Sequence, residues 1–184
     1  MEVIKTEIEG VVILDPLVFT DSRGYFFESF NEKVFDELVG HVGFVQDNES
    51  CSSRGVMRGL HFQHPPHDQA KLVRCVRGSV LDVVVDIRKG SETYGRHTSC
   101  LLTEHNHRQF FIPRGFAHGF AVLSDTAVFQ YKCDNYYCPE AEGGISIVDP
   151  SLDIDWLLDL SKAVLSEKDK NHPMFNDFNS PFEL

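Results

Sequence analysis

The sequence predicts an all-β protein, a sandwich or barrel of antiparallel strands, from its residue alternation, glycine spacing and length. In Ser79–Ile87, Leu81 and Val83 share one face whereas Asp82 and Asp86 lie on the other, which is a strand pattern. Glycines separate such segments at intervals too short for a connecting helix, so neighbouring strands are expected to be antiparallel. With 184 residues, the chain has the size of a single domain spanning 1–184. The same alternation occurs in Val56–Gln63, Ala70–Arg77 and Ala127–Cys133.

One or a few peripheral helices are expected around these strands. Asn31 can cap a helix, the apolar residues after it recur at helical spacing, and Gly40 can end it. We expect this helix to pack on the outside of the barrel. A second helical segment is predicted near Ser161–Asp169, and the tail after Asn171 carries no clear pattern.

The composition excludes several classes of function. Asp and Glu number 28 and Lys and Arg 17, a formal net charge of −11, which argues against a nucleic-acid-binding protein because a phosphate backbone needs a basic face. The sequence has no signal-peptide pattern and no stretch of about 18 apolar residues that could cross a bilayer. We therefore expect no membrane association and a cytoplasmic location. The five cysteines never form a C-x-x-C pair and are expected to be reduced thiols.

Three histidines with regular spacing raise the question of a metal site. His61, His64 and His67 are three residues apart, but Pro65 and Pro66 break any helix that would align them. In a strand, a step of three residues alternates faces. The pattern favours histidines of a polar loop over a metal site.

A second motif resembles part of the cupin pattern. Pro113, Gly115 and His118 follow the order P-x-G-x-x-H, which is similar to the second conserved motif of cupins. The first motif of metal-binding cupins has H-x-H followed by Glu, whereas this chain has a single histidine, His61, and then Lys71. An ammonium group cannot bind a divalent ion, so the sequence resembles a cupin whose metal site has been replaced. We expect no metal, no cofactor and a pocket that works by acid-base chemistry.

The strand pattern provides candidate residues for that chemistry. Alternation places His61 on the same face as Gly59, which leaves room beside the imidazole. Lys71 would project inward, where burying a cation costs free energy unless a partner or a function compensates for it. Tyr131 shares a face with Phe129. Each has a structural alternative: a hydrogen-bonded core histidine, a solvated strand end or a core tyrosine.

Eight segments taken together are more specific than any single motif. In chain order they read DSRGYFFESFN, FVQDN, RGLHFQ, KLVRC, VVDIRKGS, FIPRGFAHGF, QYKCDNYYCPEAEGG and LSEKDK. Their joint occurrence at consistent spacing resembles the dTDP-4-dehydrorhamnose 3,5-epimerase family, from about residue 1 to 170. The resemblance implies a cupin-type jelly-roll barrel, usually a homodimer, that needs no cofactor. It also implies that the chain inverts C3 and C5 of dTDP-4-dehydro-6-deoxy-D-glucose to give dTDP-4-dehydro-L-rhamnose.

The family pattern also assigns roles to individual residues. It implies that His61 is the base that removes the C3 and C5 protons and that Asp169 is its carboxylate partner. Lys71 would stabilise the enolate at the C4 oxygen, and Tyr131 would return a proton from the opposite face. The resemblance also implies that arginines bind the diphosphate, that Tyr137 stacks on the thymine ring and that the Arg23 segment reaches the partner's site. The implied substrate-binding residues are Arg23, Phe26, Glu28, Gln46, Asp47, Asn48, Arg58, His118, Tyr137, Glu142 and Lys168.

Departures from the family pattern leave alternatives open. The chain has the run 147–150, IVDP, where the family often has W-N-D-P, and the 64–69 loop, HPPHDQ, is rich in histidine and proline. Relatives that invert only one carbon share nearly all of the motifs, so a mono-epimerase remains an alternative. A non-catalytic sugar-nucleotide-binding cupin and a metal-dependent cupin oxygenase are the alternatives from other functional classes.

Overall fold

The structure is a computed structural model that describes residues 1–184, and strands dominate its regular structure. The strands are β1 (Glu2–Lys5), β2 (Val12–Asp15), β3 (Phe19–Asp21), β4 (Gly24–Phe26), β5 (Gln46–Ser53), β6 (Met57–Gln63), β7 (Lys71–Arg77), β8 (Ser79–Asp86), β9 (Arg88–Lys89), β10 (His97–Thr103), β11 (Gln109–Ile112), β12 (Phe116–Val122), β13 (Thr126–Cys133), β14 (Glu142–Gly144) and β15 (Phe182–Glu183). The two α-helices are α1 (Glu32–Leu38) and α2 (Glu167–Lys170).

Two antiparallel sheets face each other and enclose the main hydrophobic core. The first sheet has the strand order β1-β2-β11-β7-β13-β5, and the second has the order β10-β8-β12-β6-β14. Phe110 and Phe129 of the first sheet belong to the same buried cluster as Val84 and Phe120 of the second. Apart from β1 and β2, strands that lie side by side in these sheets are not consecutive in the chain, as in a jelly roll. The prediction of an all-β fold with antiparallel neighbours is confirmed.

The C-terminal segments form a further layer on the outer face of the second sheet. Trp156 and Phe182 pack there against residues such as Leu81 and Leu60. Strand β8 is therefore buried on both faces, which explains why its two aspartates have no solvent exposure. Near the end of the chain, β15 pairs in parallel with β9.

The predicted early helix is confirmed as α1. The Asn31 side chain accepts a hydrogen bond from the Val34 backbone amide, as an N-cap does, and Gly40 follows the helix with φ of 127°. Phe35 is buried against Leu72 and other residues on the outer face of the first sheet. The helix therefore packs outside the barrel, as predicted.

The prediction of a second helix over Ser161–Asp169 is wrong in extent. A short 3-10 turn covers Leu160–Lys162, and only α2 is α-helical. Between them the backbone is extended, because Val164 pairs in parallel with Val56 and its carbonyl accepts a hydrogen bond from the Met57 amide at 3.0 Å. Backbone pairing to the barrel replaces helical hydrogen bonds here.

The cysteines carry no disulfide, as the sequence predicted. Burial raises the pKa of the Cys75 thiol to about 11 and that of Cys100 to about 12. Both thiols are therefore protonated at neutral pH and unreactive. Neither α1 nor α2 combines the length and the apolar character that a membrane span requires.

Candidate active site

The four predicted catalytic residues line one cavity of about 420 Å³ between the two sheets. His61 lies on β6 of the second sheet, whereas Lys71 on β7 and Tyr131 on β13 belong to the first sheet. The histidine therefore faces the lysine and the tyrosine across the cavity. Asp169, from α2, lines the same space.

A hydrogen bond of 2.6 Å joins His61 Nε2 to Asp169 Oδ1. The aspartate side chain is 4% exposed and the histidine side chain 28%, so the imidazole is the partner that reaches the cavity. Burial favours a higher pKa for the Asp169 carboxyl, but the hydrogen bond and charge of His61, together with Ser166 and His172, hold its pKa below the usual value. The carboxylate is therefore ionised at neutral pH and fixes the tautomer of the ring.

Helix α2 positions Asp169 through its first turn. The Ser166 hydroxyl caps the helix by accepting a hydrogen bond from the Asp169 backbone amide at 3.1 Å. The extended stretch before the cap pairs with the barrel next to β6. Two local features, a strand contact and a cap, therefore bring residue 169 within hydrogen-bonding distance of residue 61.

A bulge in β6 brings Arg58 and His61 to the same cavity. Strict alternation would put these residues on opposite faces, yet both line the cavity. The register to β12 shifts by one residue at Gly59, where φ is 133°. A Cβ on Gly59 would lie 2.5 Å from Gly119 Cα, so the glycine permits close backbone approach to β12 instead of making room beside the imidazole, as alternation had suggested.

His118, which also lines this cavity, belongs to a second and more deeply buried histidine–aspartate pair. His118 Nε2 is 3.0 Å from each carboxylate oxygen of Asp82, and their side chains are 8% and 0% exposed. Burial lowers the pKa of His118 and raises that of Asp82, while each partner's charge opposes the shift of the other. The pair is therefore a buried polar unit in which only the histidine reaches the cavity.

Lys71 and Tyr131 form the wall opposite His61. The Lys71 ammonium lies 6.0 Å from the centre of the Tyr131 ring and forms no ion pair within 4.0 Å. Burial lowers the pKa of Lys71, although Cys133, Asp82 and Glu142 oppose this shift. Burial also raises the pKa of the Tyr131 phenol, which is therefore protonated at neutral pH and available as an acid.

Polar residues surround the adjoining mouth of the cavity. Tyr137 donates a hydrogen bond from its hydroxyl to Glu142 at 2.8 Å, and Lys168 forms an ion pair with the same carboxylate. The Gln46 side chain accepts from the Tyr137 amide at 3.0 Å and donates to Asn48 at 3.0 Å. These five predicted binding residues thus form one network at the mouth.

Three predicted binding residues lie on or next to the exposed β3–β4 hairpin, away from this cavity. The Arg23 side chain is 87% exposed and bonds only Asp21 of its own hairpin. Phe26 is 66% exposed. Glu28, just beyond β4, accepts a hydrogen bond from Asn31 at 3.1 Å. Within one chain, none of the three contacts the predicted catalytic residues.

Asp47 is also separated from its neighbours in sequence. Alternation along β5 turns its side chain to the outer face of the first sheet, where it pairs with Lys132 at 3.0 Å. Gln46 and Asn48, on either side, face the mouth of the cavity. The run of three consecutive binding residues predicted by family pattern is therefore split between two faces.

Sequence reasoning missed three residues that shape the site. Asp82 was recognised only as part of a strand face, although a charge inside an apolar strand signals a buried partner. Ser166 lies three residues before Asp169, a capping spacing that could have been read. His172 lies in the unpatterned tail, yet its ring meets His61 edge to face, with centroids 5.5 Å apart.

The cavity combines the groups needed to move protons at a carbon next to a carbonyl. A histidine held by a carboxylate can accept a proton, a lysine can stabilise an enolate, and a phenol across the cavity can return a proton. The fold and the site together define an acid–base isomerase built on a cupin-type jelly roll.

Comparison with known proteins identifies the family. The family model described as dTDP-4-dehydrorhamnose 3,5-epimerase matches residues 5–177. A protein of that name from Escherichia coli K12 is 54% identical over 171 residues, covering 92% of each chain. The chain belongs to the dTDP-4-dehydrorhamnose 3,5-epimerase family.

Solved structures agree with this assignment and confirm the predicted cupin-type jelly roll. The epimerase from Elizabethkingia anophelis has a TM-score of 0.91 and 53% identity, covering 98% of this chain and 99% of its own. An epimerase from Legionella pneumophila, solved with dTDP-4-keto-L-rhamnose, has a TM-score of 0.93 and 47% identity, covering 97% and 94% of the two chains.

Proposed function

We propose that the chain inverts C3 and C5 of dTDP-4-dehydro-6-deoxy-D-glucose to give dTDP-4-dehydro-L-rhamnose, a step of dTDP-rhamnose biosynthesis. The observation that carries this proposal is the placement of His61 and Tyr131 on opposite walls of one cavity. Inversion requires that a proton leave one face of a carbon and return to the other. The names of the relatives support the same reaction.

The reaction begins with proton abstraction by His61. Its Nε2 is engaged by Asp169, so Nδ1 accepts the proton from the substrate carbon, and the carboxylate stabilises the resulting imidazolium. The electrons of the broken C–H bond move to the C4 oxygen and form an enolate. The substrate's own ketone makes this step possible, and no redox change is involved.

Lys71 and Tyr131 complete the cycle. The ammonium, which has no ion-pair partner, offers its positive charge to the enolate oxygen. The Tyr131 phenol then protonates the carbon from the opposite face, and the enolate electrons return to form the new C–H bond. The tyrosine regains its proton as His61 releases one, so the cycle at C3 and the cycle at C5 each conserve protons.

The remaining predicted residues bind the substrate in this proposal. Arg58, oriented by bonds from two guanidinium nitrogens to Ser52 Oγ at 3.2 Å, faces the cavity and suits a diphosphate oxygen. Tyr137, 54% exposed at the mouth, offers a planar surface on which thymine can stack. Glu142 and Lys168 fix this tyrosine through the mouth network.

We propose a homodimer in which the hairpin enters the partner's site. The hairpin leaves large apolar side chains in solvent, including Phe19 at 58%, Tyr25 at 61% and Phe26 at 66% exposed. Arg23, at its tip, has no contact with the cavity of its own chain. Sedimentation of the wild-type chain as a dimer, and loss of substrate affinity in Arg23→Ala without loss of the dimer, would support this arrangement.

The deciding experiment follows hydrogen exchange by NMR in heavy water with authentic substrate. Deuterium entering at both C3 and C5 supports the 3,5-epimerase, whereas exchange at one carbon would establish a mono-epimerase. Binding of dTDP without any exchange would indicate a non-catalytic module. His61→Ala should abolish both exchanges, and Tyr131→Phe should allow exchange but block inversion; persistent exchange in His61→Ala would refute the assigned base.

We also propose a cytoplasmic location. Five free cysteines support it, because reduced thiols are usual in that compartment. Fractionation of the native cells would test it: activity in the cytoplasmic fraction is expected, and activity confined to another compartment would contradict it.

A further inference from the structure

His61, Asp169 and His172 form a cluster that the proposed reaction does not fully use. One ring nitrogen of each histidine and one carboxylate oxygen lie within 4.8 Å of one another. Two imidazoles and a carboxylate are a donor set that suits zinc and its neighbours in the first transition series. The structure contains no second cluster of this kind.

The third member of the cluster, His172, packs against the barrel. Its ring lies against Gly144, where any side chain would collide with it, and Gly144 pairs directly with His61 across β14 and β6. The carbonyl of the next residue, Pro173, accepts a hydrogen bond from the Ser146 amide at 2.8 Å, which holds the tail to the barrel. The His172 ring is therefore fixed beside the His61–Asp169 pair, which we call the dyad.

One ring nitrogen of His172 is left without a hydrogen bond. Its Nδ1 is buried without a hydrogen-bond partner. A buried ring nitrogen without a partner is an energetic liability that a ligand can relieve. The unpaired nitrogen provides an observation, independent of the clustering itself, that points to a ligand.

We propose that this cluster binds a divalent transition metal ion, with Zn²⁺ as its best fit, and that the bound ion inhibits the enzyme. Ligands about 2.1 Å from zinc lie about 3.4 Å apart in a tetrahedron, so the 2.6 Å contact between His61 and Asp169 opens on binding while His172 closes in. The fourth position is available to water. The proposed ion acts as an inhibitor and takes no part in the catalytic cycle.

Inhibition follows from the number of lone pairs on a neutral imidazole. When the metal takes the lone pair of His61 Nε2, the ring proton resides on Nδ1, which then cannot accept a proton from substrate. Asp169 is diverted to the metal at the same time. The inhibitory effect rests on the proposed base role of His61, whereas metal binding itself does not.

The test measures metal binding without substrate. Chelator-treated wild-type protein is titrated with ZnCl₂ by calorimetry and with CoCl₂ by visible absorption. We expect one ion per chain, and affinity about 100-fold weaker in His172→Phe, which keeps a ring over Gly144 but removes both nitrogens. His64→Ala, a histidine outside the cluster, is the matched control and should bind as the wild type does.

Activity provides the second readout. Saturating Zn²⁺ should suppress substrate exchange in the wild type, with recovery on addition of EDTA, whereas the exchange rate of His172→Phe should change little between its metal-free and zinc-treated forms. Equal zinc affinity in wild type and His172→Phe, or loss of binding in His64→Ala, would overturn the proposal. Zinc bound at the cluster in a protein without epimerase activity would instead refute the proposed function alone.

Discussion

The histidines of two histidine–aspartate pairs line one cavity, and the pairs differ in burial and in the origin of the carboxylate. His61 reaches Asp169, which comes from a four-residue helix late in the chain, and its side chain is 28% exposed. His118 reaches Asp82 within the second sheet, and its side chain is 8% exposed. Only the first pair combines a carboxylate sealed from water with an imidazole open to substrate.

The pKa directions of the two aspartates reinforce the contrast. Burial favours a higher pKa at Asp169, but His61, with help from Ser166 and His172, outweighs it and the pKa is lowered. At Asp82, burial outweighs His118, and the pKa is raised. The comparison teaches that a histidine–aspartate contact alone does not identify a catalytic base, since exposure of the ring and ionisation of its partner decide which pair can accept a proton.

The largest difference is expected when each histidine is replaced in turn. His61→Asn should lower kcat by about 10⁴-fold, because the proposed general base is lost. His118→Asn should leave measurable turnover and act mainly on KM, because the proposed mechanism gives this ring a role in substrate binding and none in proton removal. Steady-state kinetics with thermal melts as a folding control will check this; equal losses of kcat would erase the distinction between the pairs.

The aspartates should differ in activity and in the pH dependence of stability. Asp169→Asn should lower kcat by about 10²- to 10³-fold, because an amide cannot stabilise the imidazolium. The pKa of Asp169 is depressed, so its ionised form stabilises the fold above the unfolded value near 3.8, and this contribution is lost as pH falls through the folded pKa.

The contribution of Asp82 to stability should depend on pH in the opposite direction to that of Asp169. The pKa of Asp82 is raised, so its ionisation lowers the stability of the fold as pH rises through the folded pKa. Asp82→Asn should therefore unfold no more easily than the wild type at neutral pH. Denaturant unfolding of both variants at pH 3 to 8 gives the two curves. A wild-type advantage over Asp82→Asn that grows with pH would contradict the assignment.

The wall opposite His61 is expected to set the alkaline limit of activity. Burial lowers the pKa of Lys71, which brings the loss of the lysine charge to lower pH, and it raises the pKa of Tyr131, which moves the loss of the phenol proton to higher pH. We expect kcat/KM to decline through a group with a pKa below that of free lysine. In Lys71→Arg, the residual activity should persist to higher pH, whereas Tyr131→Phe should not shift the pH at which kcat/KM declines. If this decline shifts only in Tyr131→Phe, the tyrosine and not the lysine sets the alkaline limit.

The smallest effect is expected at the cap that positions Asp169. Ser166→Ala removes an N-cap worth about 1 kcal/mol and loosens α2. Stability should fall by roughly this amount, and kcat should fall modestly while KM stays unchanged, because the cap acts through the dyad. Ser161→Ala, which removes a comparable hydroxyl bond to Asp159 outside the site, is the control for kcat.

The parts of the fold that depend on local patterns were predictable. Alternation located β8, and Asn31 and Gly40 marked the ends of α1, because period and capping are properties of a few consecutive residues. The segment 161–169 was misjudged because its backbone pairs with Val56, which lies more than a hundred residues away. Contacts of that kind leave little trace in local sequence.

The candidate site divides in the same way. Motifs identified the residue types for base, acid and cation, and family resemblance assigned their roles. The β6 bulge, which brings Arg58 and His61 to one cavity, follows no alternation rule. The outward turn of Asp47 and the isolation of Arg23 from its own cavity were likewise invisible without the sheet and the hairpin.

By itself, the sequence determined the all-β class, the first helix and the family, because these depend on short-range periodicity and on the identity and order of motifs. Tertiary structure decided which histidine has an ionised partner and an open face, and it brought His172 from an unpatterned tail to the dyad. The physical reason is that burial, hydrogen bonding and charge act through space, whereas a sequence displays only neighbours along the chain.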